Sequence, residues 1–330
     1  MKKLSTLAAA AAAAVSVMAL SQSARAQTSA ALLIKPWEAN GAAESTTNGL
    51  LLDEGHVKET GNSFQLSELE SQGRVRILPG HEASPRFGYD VTLLNIHTSE
   101  HGTAFQRGIH SQLLDASLAG GTFLAKENGW VYGVTLGLGY AGNSPFAEGR
   151  AWYGRADFVV AKKFSETDAI GIGLDYDGHR SYLPDCPLPG FGYSHTFDPH
   201  LEMVIGAPLT SITWKPTDQW RLYLDWLLLS DLDADVSYQF IKHWSVFGAF
   251  QTRRDQFYIS ELHGHTRLMY LQRRLEGGIR FQPNQSLTFK AAIGYAFSND
   301  FRRGYDYRST SRYIYVTDEP YVSLGLDFAF

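Results

Sequence analysis

Trp130-Val131-Tyr132-Gly133-Val134-Thr135-Leu136-Gly137-Leu138-Gly139-Tyr140 is the stretch on which the fold reading turns. Every even position is bulky and apolar or aromatic, and the odd positions are Val131, Thr135 and three glycines. Successive side chains of an extended chain point to opposite faces, so this is a strand with one bulky face and one small or polar face. The same split recurs on both sides of it. Trp152, Ala156, Phe158 and Val160 alternate with Tyr153, Arg155 and Asp157; Ile170, Ile172, Leu174 and Tyr176 alternate with Gly171, Gly173, Asp175 and Asp177. Trp220 to Leu228, Leu287 to Phe297 and Val322 to Phe330 repeat the pattern.

Composition removes the competing classes. The 330 residues are 13% aromatic and only 19% charged, with one cysteine and a net charge of -5. Disorder, a disulfide scaffold and a nucleic-acid partner are each disfavoured by one of these figures. Lys2 and Lys3 precede the alanine-rich stretch Leu4 to Leu20, and Ala24-Arg25-Ala26 supplies small residues at a signal-peptidase site. Residues 1–26 therefore read as a signal peptide. Beyond residue 26 no apolar run approaches the roughly 18 residues of a spanning helix. Residues 27–85 carry eight acidic residues against four basic ones with poor periodicity, and read as a partly disordered periplasmic segment ahead of a barrel over 86–330. Within it, Arg74 to Leu78 fits a short strand.

Parity locates the hairpins. Arg155 opposite Asp177 and Asp157 opposite Asp175 close one through Ser165-Glu166-Thr167; Phe240 opposite Trp244, Phe281 opposite Leu287 and Trp214 opposite Trp220 close three more. Lys126 to Gly129 and Asp198-Pro199-His200 add two further turns. Longer polar segments near 98–109, 179–189, 258–265 and 298–315 lie between these hairpins. Short turns at one end and longer loops at the other describe an all-β, transmembrane, antiparallel up-and-down β-barrel. The count is 12 to 14 strands, because Leu201 to Ile205 and Leu209 to Trp214 are short and form either two strands or one kinked element. Trp130, Trp214, Trp220, Trp244, Phe164, Phe197 and Phe281 sit beside the turns, where an interfacial girdle belongs.

The last ten residues, Tyr321-Val322-Ser323-Leu324-Gly325-Leu326-Asp327-Phe328-Ala329-Phe330, resemble the C-terminal assembly signal of Gram-negative outer-membrane proteins, with Phe328 and Phe330 as its aromatic positions. The resemblance implies the cell outer membrane, outer-membrane lipid around the barrel, and the barrel-assembly machinery and periplasmic chaperones as partners. Pro189 to Leu228, including Pro208, Ser211 to Pro216 and Asp218 to Leu222, is also similar to a barrel family of unknown function, a likeness that extends from about residue 70 to the end. It implies location and fold and carries no catalytic pattern.

If the bulky face meets lipid, the lumen receives Arg155, Asp157, Asp175, Asp177, Arg221, Asp225, Glu276, Arg280 and Lys290, with Asp233, Asp235 and Asp327 beside them. A charge at the bilayer midplane would cost about 2–4 kcal/mol for Arg or Lys, so these side chains belong inside. They line a polar channel that favours cations or, equally, form a self-neutralised network that plugs it. His97, His101, His110, His179, His263 and His265 fall around the long loops without the spacing of a metal site. Ser194 and His195 are adjacent on a strand and point to opposite faces, which removes the obvious hydrolase pair. No cofactor is called for. The leading expectation is a pore or facilitator for small solutes, ahead of a structural or surface-interaction barrel with a plugged lumen and of a membrane-embedded lipid hydrolase.

Overall fold

The structure, a computed structural model, describes residues 42–78, 84–98, 111–125, 128–227, 231–260, 262 and 264–330. The signal peptide reading of residues 1–26 lies outside them, as do most of the expected 98–109 loop and His101, His110 and His263.

Alternating side chains produce a single antiparallel sheet. Its strands are β1 (Ala43–Leu52), β2 (Gly55–His56), β3 (Ser63–Arg76), β4 (Arg86–Thr98), β5 (Gln112–Ala125), β6 (Trp130–Gly142), β7 (Trp152–Lys163), β8 (Asp168–Asp177) and β9 (Leu188–Asp198). They continue as β10 (Leu201–Ala207), β11 (Leu209–Thr217), β12 (Trp220–Leu227), β13 (Asp231–Ile241), β14 (Trp244–Phe257), β15 (Arg267–Asn284), β16 (Leu287–Gly304), β17 (Ser311–Tyr315) and β18 (Glu319–Ala329). Two short 3-10 turns, η1 (Gly149–Ala151) and η2 (Tyr307–Ser309), sit in the loops. The short segments β2 and β17 prolong β1 and β18 past a break, so the wall is a ring of 16 strands. It closes where β1 pairs with β18, from Glu44 opposite Ala329 to Leu52 opposite Tyr321.

The bulky face looks outward. Leu136, Ile172, Ile293 and Leu324 are each more than 60% exposed on the outside of the wall, in an apolar band that only lipid can cover favourably. Trp214, Trp220, Phe164 and Phe197 are exposed at the end that carries the short turns, and Trp244 packs on Phe281 there with ring centroids 4.6 Å apart. The closed ring and its apolar outer band make the chain an outer-membrane-type β-barrel, in which the end with short turns and both strand termini is the periplasmic one.

The expected count of 12 to 14 strands is too low. Residues from Arg86 onward do supply 14, with β10 and β11 separate strands parted only by Pro208; the other two come from the stretch read as a periplasmic segment, so the barrel begins at Ala43 rather than at residue 86. Arg74 to Leu78 is not a separate short strand, since β3 runs from Ser63 to Arg76. Their alternation is weak because small or polar residues, Ser45, Thr47 and Gly49 on β1 and Ser67, Ser71 and Gly73 on β3, dilute an outward face whose apolar members are Leu51, Leu69 and Val75. The 298–315 segment is mostly strand, since β16 continues to Gly304 and β17 follows. Of the hairpin pairings, Arg155 with Asp177 and Asp157 with Asp175 hold. Trp214 lies opposite Leu222 rather than Trp220, and Phe281 opposite Phe289 rather than Leu287, because irregular pairing at each turn adds two residues to the loop. Trp244 lies opposite Ile241 rather than Phe240, at a similar irregularity.

The wall is uneven in height. At the outer end the backbone N–H of Tyr258, just past β14, donates to the Ala141 carbonyl of β6 at 3.0 Å. β6 and β14 stand on opposite sides of the ring, so this bond divides the 16 strands into two arcs of seven. One arc contains β15 and β16, each 18 residues long; the other runs from β7 to β13 and includes β10, β11 and β12 at 7, 9 and 8 residues. The tall arc folds its upper part around an apolar core of Leu52, Phe64, Leu66, Leu94, Leu113, Phe257, Leu268, Tyr270 and Phe301. A uniformly wet lumen is therefore not what the inward face builds. We expect Leu94→Ala to destabilise the barrel by about 2–5 kcal/mol through the cavity it leaves. Ile293→Arg, on the lipid face, should cost about 2–4 kcal/mol. Urea unfolding in lipid vesicles checks both, and a near-neutral Leu94→Ala would mean that water fills the upper lumen.

Candidate functional site

Beneath the apolar core lies a layer of buried charge. Glu68, at 5% exposure on β3, reaches across the interior to Arg253 of β14 at 2.5 Å and to Arg274 of β15 at 2.5 Å. Arg253 also meets Glu70 and donates to Asp255 at 2.5 Å. The partners lie four and five positions apart around the ring, so these pairs span the barrel and form the floor of the core. Each buried charge has an opposite charge within bonding distance, the condition under which burying it is tolerable.

Below this floor a cavity of about 350 Å³ opens, lined by seven carboxylates (Glu68, Glu70, Asp90, Asp225, Asp233, Asp235 and Glu276) against three cations (Arg274, Arg280 and Lys290). It leads to a vestibule of about 1140 Å³ between the periplasmic turns. There the balance reverses, with six cationic side chains, Arg221 and Lys215 among them, against four carboxylates. Carboxylates thus outnumber cations around the chamber, Glu68 and Glu70 among them being paired with Arg253 from the layer above, and the mouth carries a positive rim.

Of the lumen candidates, Asp225, Glu276, Arg280 and Lys290 meet around the cavity, and Arg221 stands at the vestibule. Tyr223 donates to Asp225 at 2.9 Å, and Tyr321 and Ser323 donate to Glu276 at 3.0 and 3.2 Å. Arg280 pairs with Asp235 at 2.5 Å and Lys290 with Asp327 at 2.7 Å. Arg155, Asp157, Asp175 and Asp177 gather elsewhere, on β7 and β8. Arg155 and Asp177 form a buried pair at 3.3 Å, Thr135 donates to Asp157 at 2.5 Å, and Asp175 receives Arg180 at 2.6 Å.

That second group supports a segment the sequence marked only as a long loop. Gly178 to Pro187, between β8 and β9, runs into the barrel, with Gly178, His179, Arg180, Ser181 and Pro184 buried. Its root is placed by Tyr153, whose ring lies where a Cβ on Gly139 of β6 would otherwise sit. Tyr153 donates to Asp115 at 2.7 Å and stacks on His179 at 4.6 Å. Burial, with Arg267 and Arg155 nearby, holds the His179 imidazole well below its usual value, so it is neutral.

Among the described residues no group of histidine, cysteine, aspartate and glutamate is arranged to hold a metal. His97 is exposed on β4, His179 is enclosed, and His265 packs edge-on against Tyr305. Ser194 does face inward while His195 faces out, where its Nδ1 lies 2.8 Å from Asp168 Oδ1 and Tyr193 donates to the same oxygen at 2.5 Å. His195 is thereby an interfacial side chain tied to a turn. Phe328 and Phe330 are both exposed at the periplasmic end, and the Phe330 backbone pairs with Ala43.

The two parts of the outer closure differ in what opening them would cost. Separating the apolar core would expose large side chains worth about 1.5–3 kcal/mol each. The inserted loop is held by polar bonds that water replaces, at about 0.5–1.5 kcal/mol net for each.

No family model matches the chain, over Pro189 to Leu228 or elsewhere, and no curated protein matches it. Among solved structures it is similar to the Pseudomonas putida toluene transporter TodX, at 8% identity over 94% of this chain and 93% of that one, with a TM-score of 0.40. A FadL homologue from Pseudomonas aeruginosa is 12% identical over 91% and 92%, with a TM-score of 0.38. The Acinetobacter baumannii outer membrane protein Omp33 is 8% identical over 89% and 100%, with a TM-score of 0.35.

Glu68→Ala would leave Arg253 and Arg274 without a shared partner, and we expect a loss of about 3–5 kcal/mol. Changing Glu68 and Arg274 together to methionine, which leaves Arg253 paired with Glu70 and Asp255, should restore most of it, as read by urea unfolding. For His179 the sign follows from its lowered value: the closed loop is fully stable above the ordinary histidine value of about 6.5 and loses stability as pH falls below it, because only the opened loop binds the proton. The facing groups are Asp115, Tyr153, Arg155, Gln256 and Arg267. Amide exchange of residues 178–185, corrected for intrinsic rates, should show easier opening at pH 5 than at pH 8, and His179→Gln should remove the difference.

Proposed function

We propose that this barrel is a gated outer-membrane route for small solutes, with a preference for cations set in the chamber under the charge layer. One observation carries the reading: a polar cavity continuous with a periplasmic vestibule, in which carboxylates outnumber cations seven to three. A barrel that served only as a scaffold would have no reason to keep this space open, since packed side chains would stabilise it further. The positive rim around Arg221, Lys215 and Lys242 slows cations at the mouth and leaves selection to the narrower chamber.

A second reading, a structural or surface-interaction barrel, is favoured by the bond between β6 and β14 and the apolar core, which together close the tall arc. The two readings separate in planar lipid bilayers. A route gives stepwise currents, with brief openings in the wild type and a reversal potential on the cation side in a potassium chloride gradient. Asp225→Asn combined with Asp233→Asn should cut the cation-to-anion permeability ratio by roughly two- to fivefold, since each change removes one charge from a confined space. Heat-modifiable, well-folded protein that never conducts, and does not leak small cations from liposomes, would favour the scaffold.

A further inference from the structure

The loop Gly178 to Pro187 is joined across the barrel to strands far from its own. Gln256 of β14 donates through Nε2 to the His179 carbonyl, and Arg267 of β15 donates through Nη2 to the Gly178 carbonyl at 3.0 Å. The Tyr307 backbone N–H of η2 donates to the Ser181 carbonyl at 2.9 Å. Tyr305 donates its hydroxyl to the Pro184 carbonyl at 3.2 Å, and the Leu183 N–H donates to Asp306 Oδ2 at 3.4 Å. Arg308 lies over the Tyr182 ring, 5.0 Å from its centroid. β8 and β14 are six positions apart around the ring, so the loop is a strap tied from the short arc to the tall one.

Three features mark the strap as an element with two states. Its carbonyls and side chains are met mostly by polar groups, which water can replace when it lifts. Leu183 has a φ of +53°, a left-handed conformation uncommon for leucine, so there the closed form is held by its bonds and not by local preference. Its far end is anchored at a firm post: the Asp306 carboxylate caps η2, accepting from the Arg308 backbone N–H at 3.0 Å and from the Arg308 side chain at 2.5 Å. Those bonds hold the Asp306 carboxyl below its usual value despite the cost of burial.

We propose that Gly178 to Pro187 is the gate of the barrel, and that it opens by releasing η2 and β15 while the apolar core of the tall arc stays packed. The proposal rests on the reading of the barrel as a solute route. It places the outer exit over the short strands β9 to β12, beside the core and not through it. Ions leaving the chamber would pass under the lifted strap, past Asp175 and Arg180, which part from each other as it rises.

Cys186, exposed and the sole cysteine of the chain, stands on the strap and carries a reporter without any added cysteine. The test compares wild type, Asp306→Asn, Tyr305→Phe and Arg267→Gln, each checked for heat-modifiable migration. A nitroxide on Cys186 reports strap mobility, and planar-bilayer recording in potassium chloride reports open probability. The gate predicts that mobile label and open probability rise together, by roughly two- to tenfold for each bond removed. Tyr305→Phe removes one hydroxyl and keeps the ring, so it remains informative if Arg267→Gln fails to fold. Wild-type currents that do not change while the label becomes mobile would overturn the gate and leave the route intact. A mobile label with no current in any variant would overturn the route itself. A label that stays immobile in every folded variant would overturn the strap as a releasable element.

Discussion

A strand that crosses hydrocarbon cannot leave a row of backbone amides unpaired, and one seam meets that requirement for the whole molecule. Glu44 to Leu52 closes the ring against Tyr321 to Ala329, nine residues on each side. Without that pairing both β1 and β18 would present an open edge to lipid. The seam also explains why the outward residues of β1 can be as modest as Ser45, Thr47 and Gly49. They are held by neighbours on both sides, and Thr47 shares its hydroxyl with Ser71, which in turn meets Tyr89. Side-chain apolarity is less critical where backbone closure already fixes the strand.

Closure also fixes what the interior can be. A ring of sixteen strands encloses more space than its own side chains fill, so part of the lumen must be packed by other means or stay wet. Both solutions occur at different heights. The tall arc turns inward at Tyr258, fills with leucine and phenylalanine, and stands on the Glu68, Arg253 and Arg274 layer. The layer suits its place because one side meets a dry core and the other a wet chamber. A carboxylate shared by two guanidinium groups satisfies both without a free charge facing the apolar side.

Much of this was legible in the residues, and the boundary of legibility is physical. Alternation marked β6, β7, β8, β12, β16 and β18 by their outward faces, and it paired Arg155 with Asp177 correctly because that hairpin runs without a register shift. It failed on β1 and β3, where the outward residues are mostly small or polar and Leu51, Leu69 and Val75 stand apart, although Phe64, Leu66, Glu68 and Glu70 do alternate with Gln65, Ser67 and Leu69. There the bulky residues point inward, the reverse of the rule used elsewhere, because the upper lumen is dry. The Glu68 layer was out of reach for another reason. Its members lie 185 and 206 residues apart, and nothing local couples them. The strap was visible only as a polar loop, since whether a loop lies over a barrel or inside it depends on partners such as Arg267 and Asp306.

The uneven wall has a consequence for the membrane as well. Trp220 and Trp226 are both exposed on the outside of β12, six residues apart. At about 3.3 Å per residue and a tilt near 45°, they stand only about 14 Å apart along the membrane normal. An outer-membrane barrel ordinarily shows an apolar band of about 25 Å. A band this short is matched when the bilayer thins beside it, at a cost of fractions of a kcal/mol per Å. Thinning on the side of β9 to β12 would bring the headgroups of the outer leaflet down toward the level of the strap, with the apolar core above the opposite wall. The short arc would then be the side where the protein holds its closure with polar bonds and where the surrounding lipid is also polar at that depth. A strap rising there meets water and headgroups rather than hydrocarbon, so its released carbonyls can be solvated as soon as they leave Arg267 and Gln256.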